Sequence, residues 1–271
     1  MGEEITKETN EILEIKYRDD IHVIQANELI RSKKDDLTLL ETKLIRLAIA
    51  QILQHDKDLQ TYSCKILELA SFLGMPRQNA HREIEKFAKN IMRKTITIEE
   101  KSSQPKQKKT PNWKMFHWVD SCFYKDGIIT FKLSEELKPY LIGLYGFFTQ
   151  YSFAEILNLP TANSISLFEL LASYRNLRFA KGQKFGRKYE GMKLKSNECL
   201  FTIEFLREYF NCENKYPQTG DFVNRVIEMS VNAINKNKEG QTKVSFVKVK
   251  DGRKIEAIIF KVNKIWEKNL E

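Results

Sequence analysis

One pattern occurs twice along this chain and limits what it can fold into. Lys-Asp-Gly stands at 125–127 and again at 250–252, and each copy leads into a strand-like run that closes on Phe-Lys (Phe131-Lys132 and Phe260-Lys261). Asp-Gly between β-rich runs is the strongest short-range signal for a hairpin. Upstream of each hairpin, segments 65–75 (KILELASFLGM) and 202–212 (TIEFLREYFNC) align without a gap, with isoleucine, leucine and aromatic positions in step. A duplication of this extent in 271 residues predicts two domains of one design.

The elements between these markers can be read in order. In the first half Ile21–Ile24 reads as a strand and Ala26–Arg31 as a short helix. Thr38 and Glu41 have capping-box spacing and open a helix through Leu40, Leu44, Leu47, Ala48 and Ile52, ending near His55. Tyr62–Lys65 is strand-like, Leu67–Leu73 helical and Gly74-Met75-Pro76 a turn. A helix with Ile84, Phe87, Ala88, Ile91 and Met92 on one face follows, then a hairpin of Trp113–Tyr124 and Ile128–Leu133. The second half repeats the plan. It has an amphipathic helix Thr161–Tyr174, a strand Cys199–Ile203, a helix Phe205–Phe210 and a turn Asn211–Gln218. A helix Thr219–Asn237 and a hairpin of Thr242–Lys250 with Lys254–Val262 complete it. Helix–turn–helix followed by a β-hairpin is a winged helix. The expected fold class is therefore α+β, two tandem winged-helix domains with pseudo-duplicated topology. The boundaries are an acidic flexible tail over 1–20, a first domain over 21–145 and a second over 146–271.

Charge points to the partner. Residues 1–20 carry seven acids against three bases, a net of −4, which leaves +13 on the other 251 residues of a chain whose total is +9. A basic body of this kind attracts polyanions, nucleic acid first among them. No apolar run reaches the ~18–20 residues of a membrane-crossing helix. The acidic N-terminal segment is also unlike an export signal, so the bacterial cytoplasm is the expected location and no membrane is expected as partner.

Catalytic patterns are missing. No two of His22, His55, His81 and His117 lie two residues apart, as the metal-holding pair of a rolling-circle nicking enzyme would. Cys64, Cys122, Cys199 and Cys212 form no C-x-x-C. The phosphate-cradling G-x-x-x-x-G-K-[ST] loop and the G-x-S-x-G elbow do not occur either. The expectation is a protein without enzymatic activity, cofactor or metal.

The long helix of the second half occupies the recognition position, and its apolar set (Phe222, Val223, Val226, Ile227, Ser230, Ala233, Ile234) fits a 3.6-residue period. Its other face offers Thr219, Asp221, Asn224, Arg225 and Glu228. Arg225 suits guanine, Asn224 suits adenine, and an acid suits the amino group of cytosine. A solvated amphipathic helix shows the same kind of face, so the basic hairpin after it matters. Lys248, Lys250, Arg253 and Lys254 sit where a wing meets phosphates. The loop Lys181–Lys195, with six bases and one acid, adds Lys184, Arg187 and Lys188. The corresponding helix of the first half offers Arg77, Gln78, Asn79 and Arg82, and Lys101–Pro111 is a lysine-rich loop. The first hairpin is richer in apolar residues, which predicts a surface for pairing with a second copy.

The residues also resemble a known family. Asn27-Glu28-Leu29-Ile30 leads to Leu37-Thr38-Leu39-Leu40-Glu41. Further on come Phe148-Thr149 with Tyr151, then Ser164 with Leu167-Phe168-Glu169-Leu170-Leu171. Asp221-Phe222 is followed by Arg225-Val226 and Ile234-Asn235, and Gly252-Arg253-Lys254 by Ile259-Phe260. In order and spacing over 21–262 these resemble the replication initiator (Rep) proteins of iteron-containing, theta-replicating plasmids, the group with RepB-, RepA- and RepE-type members. The resemblance implies two winged-helix domains that bind direct repeats in double-stranded origin DNA, promote origin opening and recruit the host replication initiator and helicase machinery. It also implies activating monomers, and dimers joined through the first domain that act in autorepression and copy control. One departure is Ser166-Leu167-Phe168 where the family usually has Arg-Leu-Tyr, which removes any contact that arginine makes. The alternative function is a winged-helix transcriptional repressor without initiator activity.

Overall fold

The computed structural model describes residues 12–17, 21–53, 55–100, 112–174 and 193–264. The first half begins with β1 (Ile12–Glu14), β2 (His22–Ala26), α1 (Asn27–Arg31), β3 (Lys33–Lys34) and α2 (Leu39–Ile49). β4 (Thr61–Lys65), α3 (Ile66–Phe72), α4 (Arg77–Ile91), β5 (Thr95–Glu100), β6 (Asn112–His117), β7 (Val119–Lys125), β8 (Ile128–Leu133) and α5 (Lys138–Leu141) follow. The second half has β9 (Phe148–Ser152), α6 (Ala154–Leu157), α7 (Ala162–Ser173), β10 (Glu198–Thr202) and α8 (Ile203–Tyr209). Then come α9 (Thr219–Phe222), a π-helical segment (Val223–Glu228), α10 (Met229–Lys236), β11 (Lys243–Asp251) and β12 (Lys254–Lys264). The core sheets run β4-β8-β7 and β10-β12-β11, the same order in each half. The protein is two winged-helix domains of mixed helix and strand.

Short-range chemistry sets the repeated elements. Thr38 Oγ1 accepts from the Glu41 backbone N–H at 3.2 Å while Glu41 Oε2 accepts from the Thr38 N–H at 2.8 Å, which closes a capping box on α2. Thr161 and Ser164 do the same on α7. Thr38→Ala should lower stability by about 1 kcal/mol, read from the urea midpoint with an unchanged slope. An unshifted midpoint would mean that the cap contributes nothing. Helices α3 and α8 run into Gly74 (φ +65°) and Asn211 (φ +49°), matched positions of the duplication and two residue types that tolerate the left-handed region.

The hairpins differ by one residue. In the first, Asp126 (φ +49°) and Gly127 (φ +75°) form the two-residue loop with both angles positive, as a type I′ turn requires. In the second, Asp251 pairs with Lys254, so the loop is Gly252-Arg253 and Gly252 alone has positive φ (+56°). An irregularity between Val249 and Lys250 absorbs the slip.

Four expectations change. Within the expected tail, Ile12–Glu14 is an exposed strand held parallel to β4 by its backbone ladder, and Ile15 just beyond it is buried in the core. The stretch Trp113–Tyr124 is two strands in two sheets, β6 against β5 and β7 against β8, broken where the fully buried Trp118 enters the core. Helix α2 ends at Ile49, short of His55. Helix α7 is not amphipathic: of Ser164–Ser173, all but Ser166 are buried.

That last burial has a physical cause in the meeting of the halves. β2 pairs antiparallel with β9, Ile24 opposite Gln150, and the buried face of this ribbon, which carries Gln25 and Tyr151, meets α2 and α7. The helices carry a buried ion pair, with Arg46 Nε 2.6 Å from Glu169 Oε1 and Nη2 2.9 Å from Oε2. Gln25 donates to Glu169 Oε1 at 2.8 Å, and the Tyr151 hydroxyl donates to the same oxygen. The Arg46 guanidinium carbon stands 5.3 Å from the Trp118 ring centre. Burial alone would raise the Glu169 carboxyl, but Arg46 outweighs it and holds the group below its ordinary value. At the rim, Lys34 donates to the carbonyls of Ile30 (2.6 Å) and Leu29 (3.3 Å), and its ammonium is pushed down to about 7 by burial and by Arg46. Asn211 bridges to the Lys34 carbonyl at 2.8 Å and to Asp36 at 2.7 Å, and Lys215 pairs with Asp36 at 2.9 Å.

Candidate nucleic-acid interface

The long helix of the second half, from α9 through the π-helical segment to α10, is set by the turn before it. Arg207 on α8 donates from Nη1 to the carbonyls of Cys212 (3.0 Å) and Lys215 (2.7 Å), and from Nη2 to that of Tyr216 (2.7 Å). Its guanidinium carbon lies 4.9 Å from the Phe222 ring centre, so one side chain ties α8, the turn and α9 together. Asp221, in the first turn of α9, is favourably placed against the positive end of the helix.

The helix exposes Asp221, Asn224, Arg225 and Glu228, with Thr219 half-buried, so the candidate readers do share one outward face. The apolar side differs from expectation. Val231 is buried while Ala233 is half-buried, and the buried residues recur every four positions in place of the expected 3.6. Met229 is also exposed on the outward face, an apolar side chain that no polar pattern marks.

The wing is registered to this helix by Asn235. Its amide donates to the Val244 carbonyl at 2.8 Å and accepts from the Val244 N–H at 2.8 Å, standing in for a neighbouring strand. Below it, Asn237 donates to the Glu155 carbonyl at 2.9 Å and Glu155 Oε1 accepts from Gln241 N–H at 2.9 Å. Gly240 fits this corner for lack of a Cβ, which would stand 2.7 Å from both Asn237 Nδ2 and Glu155 Oε2. At the wing tip Lys250, Arg253 and Lys254 are exposed and Lys248 is half-buried. Among the described residues no ion pair ties Arg225, Arg253 or Lys254. Lys184, Arg187 and Lys188 lie outside the described residues, as does the Lys101–Pro111 loop.

The corresponding helix of the first half is equipped differently. Arg77 and Gln78 are exposed at its start and Asn79 is half-buried. Arg82 is engaged with Glu83 (3.2 Å) and Asn79 (3.2 Å), Lys86 with Glu83 (3.1 Å) and Lys89 with Glu85 (2.6 Å). His81 Nδ1 is 2.9 Å from the Tyr124 hydroxyl, which holds the first wing against α4. That wing exposes Phe123 (64%), Tyr124 and Ile128, and the neighbouring β6 exposes Trp113 (60%) and Met115. Both β6 and β7 are edge strands of their sheets.

Burial pushes the thiols of Cys64 and Cys199 up to about 12 and that of Cys122 to about 11, which keeps them protonated and poorly nucleophilic. Among the described residues no helix is long and apolar enough to cross a membrane.

A family model described as Initiator Replication protein, WH1, matches residues 22–172, and one described as Initiator Rep protein, WH2, matches 202–262. A curated replication initiation protein of Escherichia coli is 24% identical over 244 residues, which cover 89% of this chain and 69% of that protein. Among solved structures, the Pi initiator protein in complex with iteron DNA superposes with a TM-score of 0.66 at 19% identity. That match spans 90% of this chain and 98% of that one.

Proposed function

Since the chain belongs to the initiator replication protein family, matched in both of its winged-helix domains, we propose that it binds direct repeats in the double-stranded DNA of a plasmid origin and starts replication there. The observation that carries this reading is the pairing of an outward face (Asn224, Arg225, Glu228) with a basic wing (Lys250, Arg253, Lys254) fixed to it through Asn235. Side chains on such a helix reach base edges, and a basic wing tip meets phosphates and sets the register. We assign the main reading to residues 146–271. To residues 21–145 we assign an auxiliary contact through Arg77, Gln78, Asn79 and Arg82, together with dimerisation. Open edges on β6 and β7 that carry Trp113, Met115 and Phe123 favour pairing with a second copy. In this scheme monomers open the adjacent duplex and recruit the host initiator and helicase, while dimers restrain copying.

Footprinting on DNA flanking the gene tests the reading. Protection of a series of direct repeats, with permanganate-reactive thymines in a neighbouring AT-rich stretch, is the expected result. One protected palindrome and no opening would identify a repressor instead. The wing makes its own prediction. Arg253→Ala and Lys254→Ala should each weaken binding to all duplexes alike and reduce the salt dependence by about one unit of slope. A slope equal to that of the parent protein would take the wing out of the interface.

A further inference from the structure

An α-helix turns by about 100° per residue, so side chains spaced four apart drift by roughly 40° at each step. The buried residues of the recognition helix are spaced by four: Phe222, Val226, Ser230 and Ile234 in one row, Val223, Ile227 and Val231 in the next. Over three steps that drift would carry the row about a third of the way round a regular helix and off the core. The π-helical segment Val223–Glu228 prevents this, because its i→i+5 bonding widens the turn and slows the rotation per residue. The same underwinding acts on the opposite side. The exposed residues fall into two rows along the helix, Asp221-Arg225-Met229 and Asn224-Glu228-Asn232-Lys236.

Among these exposed residues Met229 is the one apolar side chain, 61% exposed amid charges and amides. Its position continues the row of Arg225, one turn further along. The major-groove edge of DNA carries one apolar mark, the 5-methyl group of thymine. A flexible, unbranched, polarisable side chain is suited to pack on such a methyl. We propose that Met229 is a specificity-determining residue that reads a thymine methyl one turn along from the base met by Arg225. The inference rests on the reading of this helix as the one that enters the groove.

The test removes the methyl and nothing else. The full-length protein selects its repeat from a pool of random duplexes, and each thymine of that repeat is then replaced in turn by deoxyuridine. With the parent protein, one replacement should weaken binding about three- to fivefold, the worth of one buried methyl. Met229→Ala should weaken binding to the unmodified repeat by a similar factor and no longer distinguish thymine from uracil at that position. The side chain is at the surface, so folding is not at stake, and Met229→Leu should recover part of the discrimination. If Met229→Ala keeps the full thymine preference at every position, or the parent protein has none, the inference falls while the helix assignment stands on Arg225→Ala. If no sequence is enriched from the pool, both fall.

Discussion

Glu169→Ala should cost about 3–5 kcal/mol of stability, the largest loss expected from any single change to a polar side chain in this protein. The variant leaves Arg46 buried with its charge uncompensated and removes the acceptor used by Gln25 and Tyr151. Removing the partner charge as well should repair part of the loss. The double change Arg46→Met with Glu169→Leu leaves no buried charge unpaired, but Gln25 and Tyr151 still lose their acceptor, so its stability should fall between those of Glu169→Ala and the parent protein. Urea unfolding of the three proteins decides the matter, and a Glu169→Ala variant within 1 kcal/mol of the parent would show that the pair does not hold the halves together. The pH dependence has a definite sign. The folded-state pKa of Glu169 lies below its ordinary 4.5, so the stabilisation is fully present above that value and is lost as pH falls through the depressed one.

Arg225→Ala should cost about 1–3 kcal/mol on the cognate repeat and little on random duplex, because a base contact is lost while the phosphate contacts remain. The equivalent change at Arg82 should matter less, since that side chain is already engaged with Glu83 and Asn79 on its own helix. Equilibrium binding to both duplexes at one salt concentration separates the possibilities. Equal losses on cognate and random DNA would make Arg225 a phosphate contact and move the reading elsewhere on the helix.

Much of the architecture could be read directly from the chain. Capping at Thr38, the left-handed positions Gly74 and Asn211, and the Asp-Gly turn at 126–127 each depend on a few neighbouring residues. The repeated Lys-Asp-Gly and the gap-free match of 65–75 with 202–212 exposed the duplication and with it two winged helices. The outward face of Asp221, Asn224, Arg225 and Glu228 was legible for the same reason, since one helix carries all four. Met229 is not legible in the same way, because an exposed methionine has no charge to mark it, and neither is the π segment, because spacings of four and of 3.6 differ little over so short a run.

Other features were decided only by the tertiary structure. The strand pair β2–β9 joins residues 122 or more apart and the ion pair Arg46–Glu169 residues 123 apart, and no local pattern marks them as partners. Helices α2 and α7 are buried all round because each is covered by the other half, and an amphipathic stripe records only the neighbours of its own half. The break at Trp118 has the same origin: strand propensity runs on from 113 to 124, and burial of the indole in the core divides one strand into two. Caps, turns and helix faces are settled by contacts a few residues away, so the sequence alone determined them. Burial on a second side, and the partner of a buried charge, depend on what a distant part of the chain brings, and folding alone decides that.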